Sequence, residues 1–200
     1  MGQGSLSSEE YSSRRFIYIA GRIPNPGKRI LIVGFGHPHE LKAASLHGFE
    51  VVGVDRDVVA TTNARNQHFE VIRTDVESGL PFQALSFDVL ICHHVIEHMR
   101  NPSRFFSEVA RILVDGGFFV VETPDVNYNS HFHNDPTHVT PFTKSSLEAC
   151  VTGDFRIVKS QILCPIWLLW KWSNVGFLLP NIVNLSDASV LVIAQKKTMP

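Results

Sequence analysis

The chain is poor in cysteine: Cys92, Cys150 and Cys164 are the only three in 200 residues, they lie far apart, and none forms a Cys-x-x-Cys pair. Neither a disulfide framework nor a zinc knuckle is indicated, and a reducing compartment suits such a chain, so cytoplasmic residence is the expectation. Excess charge of either sign is also lacking. With 18 Lys and Arg against 19 Asp and Glu the formal net charge is -1, and the basic residues are scattered. Nothing here would neutralise a phosphate backbone, which excludes nucleic acid as the expected substrate. The polar stretch Met1 to Tyr11 carries Glu9 and Glu10 where a secretory signal would be basic and then apolar. A long uninterrupted apolar run is missing as well. The most apolar segment, Pro165 to Val183 with Trp167, Trp170, Trp172, Phe177, Leu178 and Leu179, is bounded or broken by Pro165, Lys171, Asn174 and Pro180. It makes a poor membrane span. Its basic content is Lys171 alone, so a lid or cover at 165–183 is favoured over contact with a membrane surface. Internal repeats and low-complexity stretches are absent.

What is present is enough for one ordinary domain with a full hydrophobic core. A polar leader and an N-terminal helix over Glu9 to Ala20 occupy 1–27, closed by Pro24, Pro26 and Gly27, and the domain proper runs over 28–200. Apolar runs of strand length fall at Ile30 to Val33, Val51 to Val54, Phe69 to Ile72, Phe87 to Cys92 and Phe118 to Val121. Helical segments at Glu40 to His47, Val58 to Gln67 and Ser103 to Leu113 intervene. Near-continuous Ile, Leu and Val in the first, second and fourth runs suit a parallel sheet covered on both faces. The alternation predicts an α/β fold, doubly wound around a mostly parallel sheet. A helix at Thr143 to Val151 and strands at Phe155 to Ile162 and Ser189 to Ala194 would add an antiparallel C-terminal hairpin, for seven strands in all.

Ile30-Leu31-Ile32-Val33-Gly34-Phe35-Gly36-His37-Pro38-His39-Glu40 reads as buried strand, glycine turn and helix start, the place where a doubly wound sheet binds a nucleotide-like ligand. A dinucleotide fingerprint needs a third glycine at position 39 so that helix and strand can pack closely, and His39 stands there. NAD is therefore disfavoured. Asp55, about 20 residues past the glycine turn at the end of the second strand, is placed to accept hydrogen bonds from ribose hydroxyls.

Four segments in order then carry a resemblance: Val33-Gly34-Phe35-Gly36; Val54-Asp55; Asp75-Val76-Glu77 followed by Leu80-Pro81-Phe82; and Phe87-Asp88-Val89-Leu90 running into Val95-Ile96-Glu97-His98. With Phe106 to Leu113 and Gly116-Gly117 they resemble class I S-adenosylmethionine-dependent methyltransferases, of the type 11/23-like kind, over Lys28 to about Phe155. The resemblance implies a Rossmann-like methyltransferase fold and S-adenosylmethionine as cofactor. It implies that Asp75 bonds the adenine amino group, that Val76 contributes a backbone contact, and that Gly34, Phe35, Gly36, Asp55 and Arg56 complete the nucleoside site. Cys92 and His93 would lie beside the methionine portion. Two residues depart from the family pattern. Pro38 replaces the third glycine of the family's own turn, which the first turn of a helix tolerates. Ile32 stands where an acid is usual, which motivates an alternative reading as a cofactor-binding regulatory or non-catalytic module.

Transfer from a sulfonium needs alignment of the nucleophile and, for a hydroxyl, removal of its proton. Histidine suits that task near neutral pH, and His138, His93 and His94 are the catalytic candidates; His98 reads as structural. The loop Asp135-Pro136-Thr137-His138-Val139, with Pro141-Phe142, resembles methyltransferases of polysaccharide and nucleotide-sugar pathways. A small-molecule acceptor, with a sugar hydroxyl as the finer expectation, follows from that resemblance. His131, His133, Asp135 and His138 have donor types that could ligate a divalent metal; the expectation adopted is a polar loop with no metal.

Overall fold

Runs of Ile, Leu and Val with no polar alternation are stable in a sheet only where both faces are covered. The computed structural model, which describes residues 7–129, 132–163 and 187–198, places them so. Strands β1 (Arg29–Val33), β2 (Glu50–Asp55), β3 (Glu70–Arg73), β4 (Phe87–His93) and β5 (Leu113–Asn129) alternate with helices α2 (His39–Leu46), α3 (Val58–Asn66) and α4 (Pro102–Ile112). Helix α1 (Ser8–Ala20) precedes them, and α5 (Lys144–Val151), β6 (Phe155–Leu163) and β7 (Asp187–Lys196) follow. The seven strands stand in the order β3-β2-β1-β4-β5-β7-β6. The first five are parallel, and β7 runs antiparallel to both β5 and β6. This is the doubly wound, mostly parallel sheet expected, and the strand order reverses between β1 and β4.

Side-chain alternation splits the core into two layers. Leu31, Val33, Leu90 and Cys92 pack with Phe105, Val109 and Leu147 of α4 and α5 on one face. Ile30, Ile32, Val89 and Ile91 pack with Phe16 and Ile19 of α1, Leu41 of α2 and Ala60 of α3 on the other. Ile32, where the family's acid would stand, is thus a core residue, 1% exposed.

The helices begin where their caps dictate. Ser7 and Glu10 form a reciprocal capping box on α1, Asp57 caps α3 through the Ala60 amide, Pro102 occupies the first turn of α4, and Thr143 with Ser146 boxes α5. Strand β5 is far longer than its apolar run, because pairing with β7 continues through Glu122, Thr123 and Pro124, residues that hydropathy alone excludes from a strand. The C-terminal pair inserts in reverse: β7, apolar on both faces from Val190 to Ala194 and buried throughout, takes the interior place, while β6 with Arg156, Lys159 and Gln161 forms the edge. No helix among the described residues is long and apolar enough to cross a membrane. The Trp-rich segment 165–183 lies outside the described residues.

Candidate cofactor and acceptor site

At the carboxyl ends of β1, β2, β3 and β4 an open cleft of about 190 Å³ is found. It lies at the point where the strand order reverses, where sheets of this kind bind ligands. One wall is the glycine turn. Gly34 and Gly36 both have positive φ, 69° and 55°. A Cβ on Gly34 would overlap Val95 Cγ2, whereas one on Gly36 would meet nothing within 4 Å. The first glycine is demanded by packing and backbone, and the second by backbone alone, which leaves open space on the cleft side.

Asp55 fastens this wall to the end of β2. Its Oδ2 accepts from the Gly36 amide at 2.9 Å and its Oδ1 from the Asp57 amide at 2.9 Å. Each carboxylate oxygen keeps a second lone pair, so Asp55, 9% exposed and lining the cleft, can still accept bonds from a ligand. Arg56 lines the cleft beside it. The opposite wall is Thr74, Asp75, Val76 and Glu77. Asp75 Oδ1 accepts from the Glu77 amide at 3.0 Å, and Glu77 Oε1 accepts from the Arg100 and Asn101 amides at 2.6 and 3.1 Å. The loops after β3 and β4 are thereby joined across the cleft.

The far end is built from His94, Val95, His98 and Met99. Strand periodicity decides which histidine reaches it. His93 shares the face of Val89 and Ile91, so it turns toward α2, 7% exposed, with Nδ1 3.0 Å from Glu40. Expected both as a cofactor contact and as a catalytic group, His93 lies away from the cleft lining. Cys92 is 0% exposed beneath α4 and α5, and burial pushes its thiol well above the usual range. Phe35 turns its ring onto Gly53, leaving no room there for a side chain. Cys92 is sheet core by the same alternation and Phe35 packs from the turn after β1 onto the other face; neither, though expected to contact cofactor, lines the cleft.

His94 does line it, in a left-handed conformation with φ 52°. Its Nδ1 is 3.4 Å from Glu97 and its Nε2 3.5 Å from Glu122. Burial works against its charge, but the Glu122 and Glu97 carboxylates outweigh it and raise the pKa to about 9. Flanked in this way, the ring faces two carboxylates to which it can donate. Glu122 is pushed up by burial and held down more strongly by Arg15 of α1, 2.7 Å away, and it also accepts from Ser189 Oγ at 2.6 Å.

His138 reaches the same region through its loop. The amides of Val139 and Thr140 donate to the Glu97 carbonyl at 2.9 and 3.0 Å, and Thr140 Oγ1 donates to the Met99 carbonyl at 2.6 Å. This docking brings the His138 and His98 rings to 4.8 Å between centroids. His98, read from sequence as structural, therefore lines the cleft beside the expected catalytic histidine. The clue was the Ile96-Glu97-His98 turn directly after β4. His133 is exposed on the same loop, and His131 lies outside the described residues.

Residues 31–121 match the family model described as a methyltransferase domain. A probable S-adenosylmethionine-dependent methyltransferase of Mycolicibacterium smegmatis is 29% identical over 150 residues, 72% of this chain and 56% of that one. A ubiquinone biosynthesis O-methyltransferase of Hahella chejuensis is 30% identical over 127 residues, 60% of this chain and 53% of that one. The chain thus spans about half the length of these curated relatives. The crystal structure of an S-adenosylmethionine-dependent methyltransferase from Archaeoglobus fulgidus superposes with a TM-score of 0.74 at 19% identity, covering 95% of both chains. The fold is the class I methyltransferase fold. Residues 31–121 are similar to methyltransferase domains, and the Mycolicibacterium smegmatis relative is of the S-adenosylmethionine-dependent class.

Proposed function

We propose that this chain transfers a methyl group from S-adenosylmethionine to a hydroxyl of a small molecule. The observation that carries the reading is the cleft itself: Asp55 and Asp75 face it from two walls at the β1/β4 switch point, beside a glycine turn with open space at Gly36. Those residues fit the cofactor. Asp55 retains lone pairs for ribose hydroxyls, Asp75 is exposed beside the cleft for the adenine amino group, and Val76 offers its backbone. When bound, S-adenosylmethionine supplies a methyl group already activated by its sulfonium. The chain then has to orient the acceptor oxygen and take its proton.

His98 and Met99 line the end of the cleft suited to that work, and the His138 ring lies behind His98, 4.8 Å between centroids. The His138 Nδ1 lies 2.8 Å from the Phe132 carbonyl, which can only accept, so Nδ1 carries the proton and Nε2 holds the free lone pair. Ile32 is packed in the sheet core and outside the cleft lining, and Asp55 and Asp75 remain to hold the cofactor. The acceptor is proposed as a hydroxylated small molecule. The sugar expectation rests on Asp135 to Val139 alone, while relatives carry names from ubiquinone biosynthesis.

Calorimetry with S-adenosylmethionine and S-adenosylhomocysteine tests the cofactor site, and mass spectrometry of ligands carried through purification tests the acceptor. Micromolar binding that Asp55→Ala weakens about a hundredfold is the expected result. No heat at millimolar cofactor would remove the proposal.

A further inference from the structure

Among the described residues, Glu97, His98 and His138 present one carboxylate oxygen and two ring nitrogens that all lie within 4.8 Å of one another. The sequence offers metal-type donors along the loop, at His131, His133, Asp135 and His138, with no metal expected; the fold keeps the His138 Nε2 3.7 Å from Asp135 Oδ2 and also sets that ring beside His98 on the turn after β4, while His131 lies outside the described residues.

Three independent features of this cluster point to a cation. The Oε1 atom of Glu97 is fully buried, on a side chain 0% exposed, and makes no hydrogen bond, with the His94 ring 3.4 Å away, while Oε2 accepts from Thr123 Oγ1 at 2.9 Å. A buried carboxylate oxygen so loosely paired favours the approach of a further positive group. Both histidines are held by their Nδ1 atoms. His138 Nδ1 lies 2.8 Å from the Phe132 carbonyl; His98 Nδ1 lies 3.1 Å from the Thr137 carbonyl and 2.9 Å from Thr137 Oγ1, a hydroxyl whose own proton goes to Asp135 at 2.6 Å. Carbonyls can only accept, so each Nδ1 carries the proton and each Nε2 is left with its lone pair. This is the outer-shell arrangement that orients imidazoles toward a metal. The cluster also borders the cleft, since His98 lines it, which leaves room for further ligands.

We propose that Glu97, His98 and His138 hold a divalent transition-metal ion at the acceptor end of the cleft. Two imidazoles and one carboxylate, with coordination positions open toward the cleft, form a donor set that suits Zn²⁺ and is poorly matched to Mg²⁺. Metal–ligand bonds of about 2.1 Å in a tetrahedral site set the donors about 3.4 Å apart, so the three side chains close by up to about 1.4 Å from separations within 4.8 Å. The His94 ring lies 3.4 Å from Glu97 and would yield that carboxylate to the ion, keeping Glu122 at 3.5 Å.

The use of such an ion rests on the methyl-transfer reading. With the His138 Nε2 lone pair on the ion, that ring would no longer be the base: an acceptor hydroxyl beside the ion would lose its proton to solvent, its oxygen lone pair would form the new bond to the methyl carbon, and the pair of the breaking carbon–sulfur bond would return to sulfur. Binding of the ion itself does not rest on that reading.

The test is calorimetry of the full chain, freed of any histidine tag and treated with chelator, titrated with ZnCl₂ and separately with MgCl₂. Visible absorption with CoCl₂ reports the ligand field independently. One equivalent of Zn²⁺ is expected, with affinity lowered at least tenfold in His98→Ala and His138→Ala and unchanged in His133→Ala. These variants leave Glu97 in place, and thermal melts confirm that each is folded. Absence of binding, affinity unmoved in both ligand variants, or a preference for Mg²⁺ would overturn the proposal. S-adenosylhomocysteine binding is measured on the same metal-free sample. Cofactor binding without zinc removes only this site, and zinc without cofactor removes only the methyl-transfer reading.

Discussion

Replacing Asp55 by Ala separates the two tasks assigned to that carboxylate. In the folded chain it accepts from the Gly36 and Asp57 amides, each at 2.9 Å. Hydrogen bonds to an ionised group are worth about 1.5–3 kcal/mol each, but both amides border an open cleft where water can replace the lost oxygen. The expected loss of stability is therefore about 1–2 kcal/mol, read as a lowered urea midpoint with unchanged slope. The cofactor's ribose hydroxyls lose a charged acceptor with no equivalent nearby. Two such bonds, discounted for water, amount to about 3 kcal/mol, or about a hundredfold in the dissociation constant of S-adenosylhomocysteine. Asp55→Asn retains one acceptor oxygen and should fall between the two. Calorimetry on samples shown to be folded is the assay. Binding by the Ala variant within threefold of the parent would refute the assignment, because the structure then provides Asp55 only as a strap for the glycine turn.

Gly34→Ala combines a left-handed φ with overlap on Val95, and a loss of at least about 2 kcal/mol in denaturant melts is expected; Gly36→Ala, with open space, should lose about half that and impair cofactor binding instead. Arg15→Ala leaves Glu122, 3% exposed, without its guanidinium. A buried charge deprived of its partner costs about 3–5 kcal/mol, reduced here because Ser189 and His94 still reach it, so a fall of about 2–3 kcal/mol in urea unfolding is the expectation. Glu108 is held down to about 2 by Arg111 and the Leu80 amide. Because its folded pKa lies below the unfolded value, the stability it contributes is full above pH about 5 and is lost as pH falls toward 2. The parent should therefore lose about 1 kcal/mol more than Glu108→Gln over that window in thermal melts, since the pair is only part-buried.

Local chemistry was enough to read the alternation of strands and helices, the glycine turn and the two aspartates at strand ends. Each depends on a residue and its near neighbours: apolar runs of strand length, a turn that needs positive φ, a carboxylate one step beyond a strand. Ser7, Asp57, Pro102 and Thr143 likewise mark their helix starts by capping chemistry. Strand β5 escaped this reading because Glu122 and Asp125 are polar and buried in it, their burial made tolerable by Arg15, Ser189 and the Lys144 amide, all distant in sequence.

The sequence by itself thus determined the class of fold and the glycine turn with Asp55 and Asp75 at the strand ends, since those rest on short-range rules. Only the tertiary structure decided what stands at the other end of the cleft. Which of His93 and His94 meets the cleft is settled by the side of the sheet each faces, and that depends on what covers it: α2 with Glu40 on one side, the cleft on the other. His138 stands on His98 because the Val139 and Thr140 amides bind the Glu97 carbonyl across about 40 positions of chain. β7 rather than β6 adjoins β5 because it is apolar on both faces. In each case the deciding contact joins residues remote in sequence, whose energies exist only once the sheet has formed.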